Sequence, residues 1–448
     1  MMFGEEPFIN VGILIGKSFK FELYGDFSVL GFKDNFSGVY AAEIRDNKII
    51  CKSSKHHIEA TSDKIEFIPS DPISESFLLR DVVIGNKFHW ERKEKQRFIY
   101  SLILQKSGNE IVAINHIPLE RYLTSVISSE MNAKSSIELL KAQAVIARSW
   151  VLAQMERSKK LKGEKEIRET SLELKDELIK WYDREDHNLF DVCADDHCQR
   201  FQGVTKIISD AAFKAVDQTK GIALLSNGVV CDARYSKCCG GLTESFENVW
   251  EPVIHPYLVS VVDYKFAPEN FNLDFSDEEN SEKWIRGNPH SFCNTSDRKI
   301  LSHILVDYDR ETKDFFRWKV EYSQEELSSL IKEKSGIDFG DILDLIPAER
   351  GESSRIVKLK VVGTKRTITV GKELEIRRFL SKSHLYSSAF IVKKIGKNIP
   401  EKFILYGAGW GHGVGLCQIG AAVMAEKGYN FDEILLHYFK NSELKKIY

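Results

Sequence analysis

The sequence predicts an α+β protein, with a β-rich N-terminal domain and a mixed α/β core that carries an inserted subdomain. Three observations support this prediction. Short apolar runs separated by Gly, Asp, Asn and Ser dominate residues 1–110, as expected for strands and turns. From residue 118 apolar residues recur every three or four positions, which is the period of an amphipathic helix. After residue 347 short β-type runs return, and two helices end the chain.

The size and composition of the chain limit the number of domains and the kinds of partner that we expect. With 448 residues it exceeds the ~250–300 at which a single core stops growing, so we expect more than one domain. Its net charge of −3 gives no electrostatic reason to expect a nucleic-acid partner. The N-terminal apolar run at 11–15 is typical of a strand rather than a secretion signal, and no run approaches the ~18 residues of a membrane helix. As written, the chain is predicted to be cytoplasmic and without a membrane span.

Four segments are predicted along the chain. Residues 1–110 form the N-terminal β-rich domain, and residues 111–265 form the first part of the core. Residues 266–346 carry Asn, Asp, Glu and Ser runs before an amphipathic helix near Glu325–Lys334, which indicates an inserted subdomain. Residues 347–448 complete the core and contain a glycine-rich motif.

The first helix of the core carries a carboxylate on its apolar side. We expect this helix to begin at Pro118, because the missing amide of proline costs nothing at a first helical position. Its apolar face consists of Leu119, Leu123, Val126, Ile127 and Glu130. Burial there would raise the pKa of Glu130, as a general acid near neutral pH requires. The alternative is a glutamate at the core edge that is paired with a neighbouring cation.

The second helix is predicted to open with a capping box at Ser135 and Glu138. Lys141 and Arg148 stand seven residues apart on it and therefore share one face. Two cations on a wall of small residues would suit the hydroxyls or carboxylates of a polar polymer. The alternative is ordinary solvated charge.

Two further segments have the composition of ligand-binding sites. Tyr235 lies at a strand end before a double-glycine turn, where it would contact a ligand or remain a half-buried core tyrosine. In the segment 407–415 glycine occupies every other position. If this segment is extended, all its glycines share one face, so that a ligand or another part of the backbone can approach closely.

A cluster of metal-ligand residue types lies between Asp186 and Cys198. The cluster offers up to four nitrogen or sulfur ligands, which are the donors that zinc prefers: His187, Cys193, His197 and Cys198. The alternative is a thiol-rich turn. The eight cysteines of the chain follow no disulfide framework and are expected to be thiols or metal ligands.

These motifs together resemble the stage II sporulation protein D family, which includes amidase-enhancer domains. The resemblance rests on four segments in the same order: IPLERYLTSVISSEM with the following LLKAQAVIARSW, CADDHCQRFQG, YSKCCGGLTES and GAGWGHGVGLCQIGAAVMAEKGY. Members with demonstrated activity are lytic transglycosylases, which cleave the bond between N-acetylmuramic acid and N-acetylglucosamine in peptidoglycan. The resemblance therefore implies glycan strands as the substrate and, in the enhancer branch, a cell-wall amidase as the partner.

The resemblance also implies roles for individual residues. Glu130 matches the catalytic acid and base, and His187, Cys193 and Cys198 match a structural zinc site found in some members. The expected glycan-binding residues are Lys141, Arg148, Tyr235, Trp410, His412 and Gln418. Two features depart from the family: Cys417 stands where serine is usual, and residues 266–346 have no counterpart in shorter members.

The mechanism expected from this assignment needs a single carboxyl group. A protonated Glu130 would donate to the leaving glycosidic oxygen as an oxocarbenium-like state develops. Its carboxylate would then take a proton from the sugar's own hydroxyl, which closes an anhydro ring without water. The alternative function is a non-catalytic module that binds glycan strands and stimulates an amidase.

Overall fold

The computed structural model describes residues 4–60, 62–84, 92–132, 134–161, 170–181, 187–195, 197–205, 210–304 and 315–448. Strands precede the first helix in these residues: β1 (Phe8–Gly16), β2 (Ser18–Val29), β3 (Phe36–Arg45), β4 (Lys48–Lys52), β5 (His57–Glu59), β6 (Lys64–Pro69), β7 (Ser76–Ile84), β8 (Arg92–Ile99), β9 (Ser101–Ser107) and β10 (Glu110–Pro118). They belong to an 11-stranded sheet with the order β13-β1-β10-β9-β6-β2-β3-β4-β5, where β13 is Val192–Cys193 and β7 joins β2 to β8.

The central part of the chain alternates helices with short strands. Its elements are α1 (Leu119–Glu130), α2 (Ile137–Leu161), β11 (Ser171–Glu173), β12 (Glu177–Lys180), β13, α3 (Asp210–Gln218), β14 (Ile222–Ser226), β15 (Val229–Val230), β16 (Tyr235–Ser236), α4 (Phe246–Val249), α5 (Glu278–Arg286) and α6 (Arg298–Ile304). No helix among the described residues is both long enough and apolar enough to cross a membrane.

The C-terminal part returns to strands. Its elements are β17 (Arg317–Ser323), α7 (Gln324–Ser335), β18 (Ile342–Arg350), β19 (Ile356–Gly363), β20 (Thr367–Gly371), α8 (Glu373–Phe379), β21 (Phe390–Ile395), β22 (Lys402–Ala408), β23 (Leu416–Cys417), α9 (Gln418–Glu426), α10 (Phe431–Tyr438) and β24 (Glu443–Lys446). The predicted α+β class is confirmed.

The helix α1 begins one residue later than predicted. Pro118 has φ −59° and ψ 143°, and it is the last residue of β10, where it pairs with Phe8 of β1. This extended pairing holds Pro118 in the strand. Leu119 therefore opens the helix and donates its amide to the carbonyl of Pro7.

The buried residues form one large core and smaller ones. The large core joins the N-terminal sheet to α1, α2, α9 and α10. A second core is built from residues 318–405. In it, β17 pairs with β22 and β18 pairs with β19, so residues 317–346 pack with the segment that follows them. The N-terminal sheet likewise continues past residue 110 to Pro118. The division into four domains remains a prediction.

Candidate active site and metal cluster

Glu130 is the last residue of α1 and is half-buried. Its Oε1 atom accepts a hydrogen bond from the backbone N–H of Arg200 at 3.1 Å. Arg200 lies two positions after Cys198, so the loop that carries the predicted metal ligands reaches the candidate catalytic carboxyl group.

Several contacts hold this loop against α1. The hydroxyl of Ser125 donates to the carbonyl of Gly203 at 2.6 Å, and the hydroxyl of Tyr122 donates to Gln199 Oε1 at 3.2 Å. The ring of Phe201 stacks on that of Tyr122, with centroids 5.1 Å apart. Since all these groups are buried, the hydrogen bonds are shielded from water and fix the loop in register with the helix.

Several candidate site residues lie near the buried side chain of Tyr122. Burial raises the pKa of its hydroxyl, and the charges of Cys198, Tyr235, Cys193 and Glu130 raise it further. These four groups therefore lie within electrostatic range of one buried tyrosine. The structure thus brings the predicted acid, the predicted cleft tyrosine and the predicted metal ligands into one neighbourhood.

The predicted metal ligands form a compact cluster with His197. The ligand atoms of His187, Cys193, His197 and Cys198 all lie within 4.8 Å of one another. Cys198 Sγ lies 3.4 Å from His187 Nε2 and 3.4 Å from His197 Nδ1. Cys193 Sγ lies 3.9 Å from His197 Nδ1. Asp186, the first residue of the predicted cluster, lies outside the described residues.

These distances fit a tetrahedral zinc ion. With zinc about 2.3 Å from sulfur and about 2.0 Å from nitrogen, a ligand sulfur and nitrogen lie about 3.5 Å apart. Hydrogen bonding from Cys198, with added contributions from His187 and His197, lowers the pKa of the Cys193 thiol to about 2. Zinc binds thiolates, so two sulfurs and two imidazoles form a suitable closed set. Strand β13 anchors Cys193 beside Gly12 of β1.

Arg148 corrects one prediction. Its side chain is fully buried and forms a two-pronged ion pair with Glu120, at 2.6 and 3.0 Å. A third bond reaches the carbonyl of Ile222 at 3.0 Å. Because its donors are used inside the protein, Arg148 is a structural residue and is unavailable to a glycan. Lys141, half-buried, pairs instead with Glu138 at 2.7 Å, and its proposed role remains untested.

His412 lies against the protein's own backbone. Its Nδ1 atom accepts the amide of Val414 at 3.0 Å, and its ring centroid lies 4.8 Å from that of Trp250. Burial lowers its pKa well below the ordinary value, so the ring is neutral. Part of the side chain is exposed, and its contact with a sugar remains a prediction.

The glycine-rich segment is not extended. Strand β22 ends at Ala408, and Gly409, Gly411, Gly413 and Gly415 have φ values of 77°, 93°, 80° and 73°. This left-handed conformation favours glycine. A Cβ atom at Gly415 would lie 2.1 Å from the carbonyl oxygen of Arg234. The sequence analysis expected either a ligand or another part of the backbone to approach these glycines, and the structure places the backbone of Arg234 there.

The remaining predicted residues lie at two places. Gln418 is buried, and its Nε2 atom lies 3.8 Å from the sulfur of Met131, the neighbour of Glu130. Trp410 is half-buried and stacks on Tyr386, with centroids 4.2 Å apart. One face of the indole ring is therefore covered. Their roles, like that of Tyr235, remain predictions.

Sequence reasoning missed the residues that position Glu130. Neither the amide of Arg200 nor the pair of Tyr122 and Gln199 was identified, although Gln199 and Arg200 lie in the motif CADDHCQRFQG. The sequence did contain a signal for these residues, because the motif CADDHCQRFQG continues with Gln199 and Arg200 after its last cysteine. A shallow surface depression of about 700 Å³ is lined by Glu269, Asn270, Phe271, Asn272, Lys283 and Gly287, and it contains none of the predicted site residues.

Comparison with known proteins identifies relatives of both halves of the chain. The family described as "Stage II sporulation protein" matches residues 107–225, which contain Glu130 and the metal cluster. A "Domain of unknown function (DUF8618)" matches residues 244–415.

Three curated relatives come from bacilli. Stage II sporulation protein D of Bacillus subtilis is 24% identical over 356 residues, which cover 77% of this chain and 79% of that protein. Its counterpart in Bacillus amyloliquefaciens is 25% identical over 334 residues, 75% of this chain and 76% of that protein. The Amidase enhancer of Bacillus subtilis is 26% identical over 246 residues, 52% of this chain and only 32% of that protein. Residues 107–225 thus match the stage II sporulation family model, and the chain as a whole is similar to stage II sporulation protein D and to the amidase enhancer.

Proposed function

We propose that this protein is a lytic transglycosylase that cleaves the bond between N-acetylmuramic acid and N-acetylglucosamine in peptidoglycan. The observation that carries the proposal is the setting of Glu130. It is half-buried at a helix end, with Oε1 held by the amide of Arg200. One oxygen is thereby oriented, while the other is available for a transferable proton.

The reaction needs one carboxyl group in two roles. Protonated Glu130 donates its proton to the glycosidic oxygen as the bond to the muramic acid carbon breaks. The carboxylate then accepts the proton of a hydroxyl group on the same sugar, and that oxygen closes the anhydro ring. Glu130 ends the cycle protonated, so no water is consumed. Tyr235, which acts electrostatically on the same buried Tyr122 as Glu130 does, is proposed to contact the substrate.

The zinc ion in this proposal is structural. His187, Cys193, His197 and Cys198 would hold it and so stabilise the loop that presents the amide of Arg200 to Glu130. No step of the reaction involves the metal. The metal would contribute by keeping Glu130 in position through this loop.

The test is product analysis on glycan strands stripped of stem peptides. Wild-type protein should release anhydro-muramic products detectable by mass spectrometry, and Glu130→Gln should release none above background. Glu110→Gln, the same change at an exposed residue of β10, is the matched control and should retain activity. Equal product from wild type and Glu130→Gln would refute the catalytic role.

The match to an amidase enhancer supports a second candidate, a glycan-binding module that stimulates a cell-wall amidase. This candidate predicts that Glu130→Gln still binds glycan and still raises the amidase rate. A stimulation assay with the variant therefore separates the two functions.

A further inference from the structure

A second cluster of metal-ligand side chains lies in the interior, outside the site described above. It consists of Cys239, Asp263, Cys293 and Cys417, and their ligand atoms all lie within 4.8 Å of one another. Each of the four residues is almost fully buried. They come from the turn after β16, the loop after α4, the 266–346 segment and the start of α9. From this arrangement we propose a closed, structural binding site for a thiophilic divalent metal such as zinc.

The sulfur positions suit a shared metal ion. Cys239 Sγ and Cys293 Sγ are 3.6 Å apart. Two sulfurs bound to one tetrahedral zinc ion at about 2.3 Å lie about 3.8 Å apart. Three sulfurs and one carboxylate, all buried, provide four zinc donors and differ in a single ligand from the set of three cysteines and one histidine found in structural zinc sites.

The surroundings orient the ligands. Asp263 Oδ1 accepts the hydroxyl of Tyr438 at 2.5 Å, and Oδ2 accepts both the hydroxyl of Ser291 and the amide of Cys293 at 2.8 Å. These three bonds use both lone-pair positions of Oδ2 and one of Oδ1, so the second position of Oδ1 is left for a metal and its direction is fixed.

Cys417 is held in a manner that favours its thiolate. It caps the N-terminus of α9, and its Sγ atom accepts the amides of Cys239 at 3.2 Å and Gly420 at 3.4 Å. Amide donors at a helix N-terminus stabilise negative charge on sulfur.

The charge balance also points to a cation. Asp263 forms no salt bridge to a lysine or arginine within the part of the chain that the structure describes. A buried carboxylate beside three cysteines is costly without a positive charge, and a divalent ion would supply it. The bound metal would join the 266–346 segment to β16 and α9.

The test uses Cys193→Ser/Cys198→Ser as the starting protein, since this pair of changes removes the other cluster. Purified under reducing conditions without added metal, it should contain one zinc per chain. Adding Cys417→Ser should abolish the bound zinc, because serine retains the helix cap but not the thiolate. Adding Cys231→Ser, which changes a buried thiol outside both clusters, is the control and should retain the zinc.

Cobalt provides an independent reading. Apoprotein titrated with Co²⁺ should show sulfur-to-cobalt charge-transfer absorption that saturates at one equivalent and is absent from the Cys417→Ser protein. If the double variant does not fold, wild type and Cys417→Ser are compared directly, with two metals and one metal expected. A protein that neither contains zinc nor takes up Co²⁺ at this cluster, or in which Cys239 and Cys293 form a disulfide, would overturn the proposal. Activity is not the readout, so failure here leaves the role of Glu130 untouched.

Discussion

Glu120 and Glu130 lie at opposite ends of α1, and their carboxylates differ in how many hydrogen-bond donors contact them. Glu120 accepts hydrogen bonds from Arg148, the amide of Gly221 and the hydroxyl of Tyr448. Glu130 accepts the amide of Arg200, the hydrogen bond that the described residues provide to it. A carboxylate whose oxygens are engaged by donors inside the protein stabilises the fold. A carboxylate with an uncommitted oxygen can exchange a proton with a ligand. The partners, rather than the helix, therefore distinguish the two glutamates.

The largest expected effect is the loss of activity in Glu130→Gln. Removing a general acid should lower the rate of anhydro-product formation by about 10²–10⁴-fold. The midpoint of urea unfolding should stay close to that of wild type, because the residue is half-buried and has few partners. If Glu130→Gln lost stability as well as activity, Glu130 would have a structural role like that of Glu120, and the proposed difference between the two residues would be contradicted.

The converse change is Arg148→Met. It leaves Glu120 charged and buried without its cation, which should cost about 3–5 kcal/mol in the free energy of unfolding. Urea unfolding followed by circular dichroism measures this cost. The double variant Arg148→Met/Glu120→Leu should recover part of it, because neither charge then remains buried. Stability unchanged in Arg148→Met would contradict the structural role of the pair.

Acid sensitivity should arise from buried histidines. Burial, with a contribution from Lys440, lowers the pKa of His437 to about 4. The unfolded chain therefore binds the proton first, so stability is full above the unfolded pKa of about 6.5 and is lost as pH falls toward 4. At pH 5 the loss from His437 is up to about 2 kcal/mol.

The variant His437→Gln isolates this contribution. Its unfolding free energy should fall less steeply between pH 7 and pH 5 than that of wild type, whatever its stability at pH 7. Burial also lowers the pKa of His384 to about 4, so part of the slope should remain. Identical slopes in variant and wild type would assign the acid sensitivity elsewhere.

The smallest effect is expected when the metal cluster near Glu130 is disrupted. Cys193→Ser should remove one bound zinc and loosen the loop that presents Arg200, which lowers activity by about 10-fold. Metal analysis and the product assay are performed on the same preparation. Zinc loss without any fall in activity would show that α1 positions Glu130 without help from this loop.

Local patterns predicted much of the fold and part of the candidate site. The three- and four-residue period of α1 placed Glu130 on the apolar face of that helix, and the short spacing of His187, Cys193 and Cys198 predicted a cluster that the structure shows as compact. Arg148 was misassigned because its partner Glu120 lies on another helix, and the period of α2 alone carries no information about that packing. The alternating glycines at 409–415 indicated a close approach, but their left-handed conformation could not be read from the spacing.

By itself, the sequence determined the α+β class, the helix that carries Glu130 and the short-range cluster of His and Cys side chains, because hydrophobic periodicity and residue spacing act over a few residues. Only the tertiary structure decided which charges are buried in pairs and which thiols meet. Cys239 and Cys417 are 178 residues apart, and they come together because parallel pairing of β16 with β23 brings their segments side by side. Contacts at such separations depend on the packing of the whole chain, which no local spacing encodes.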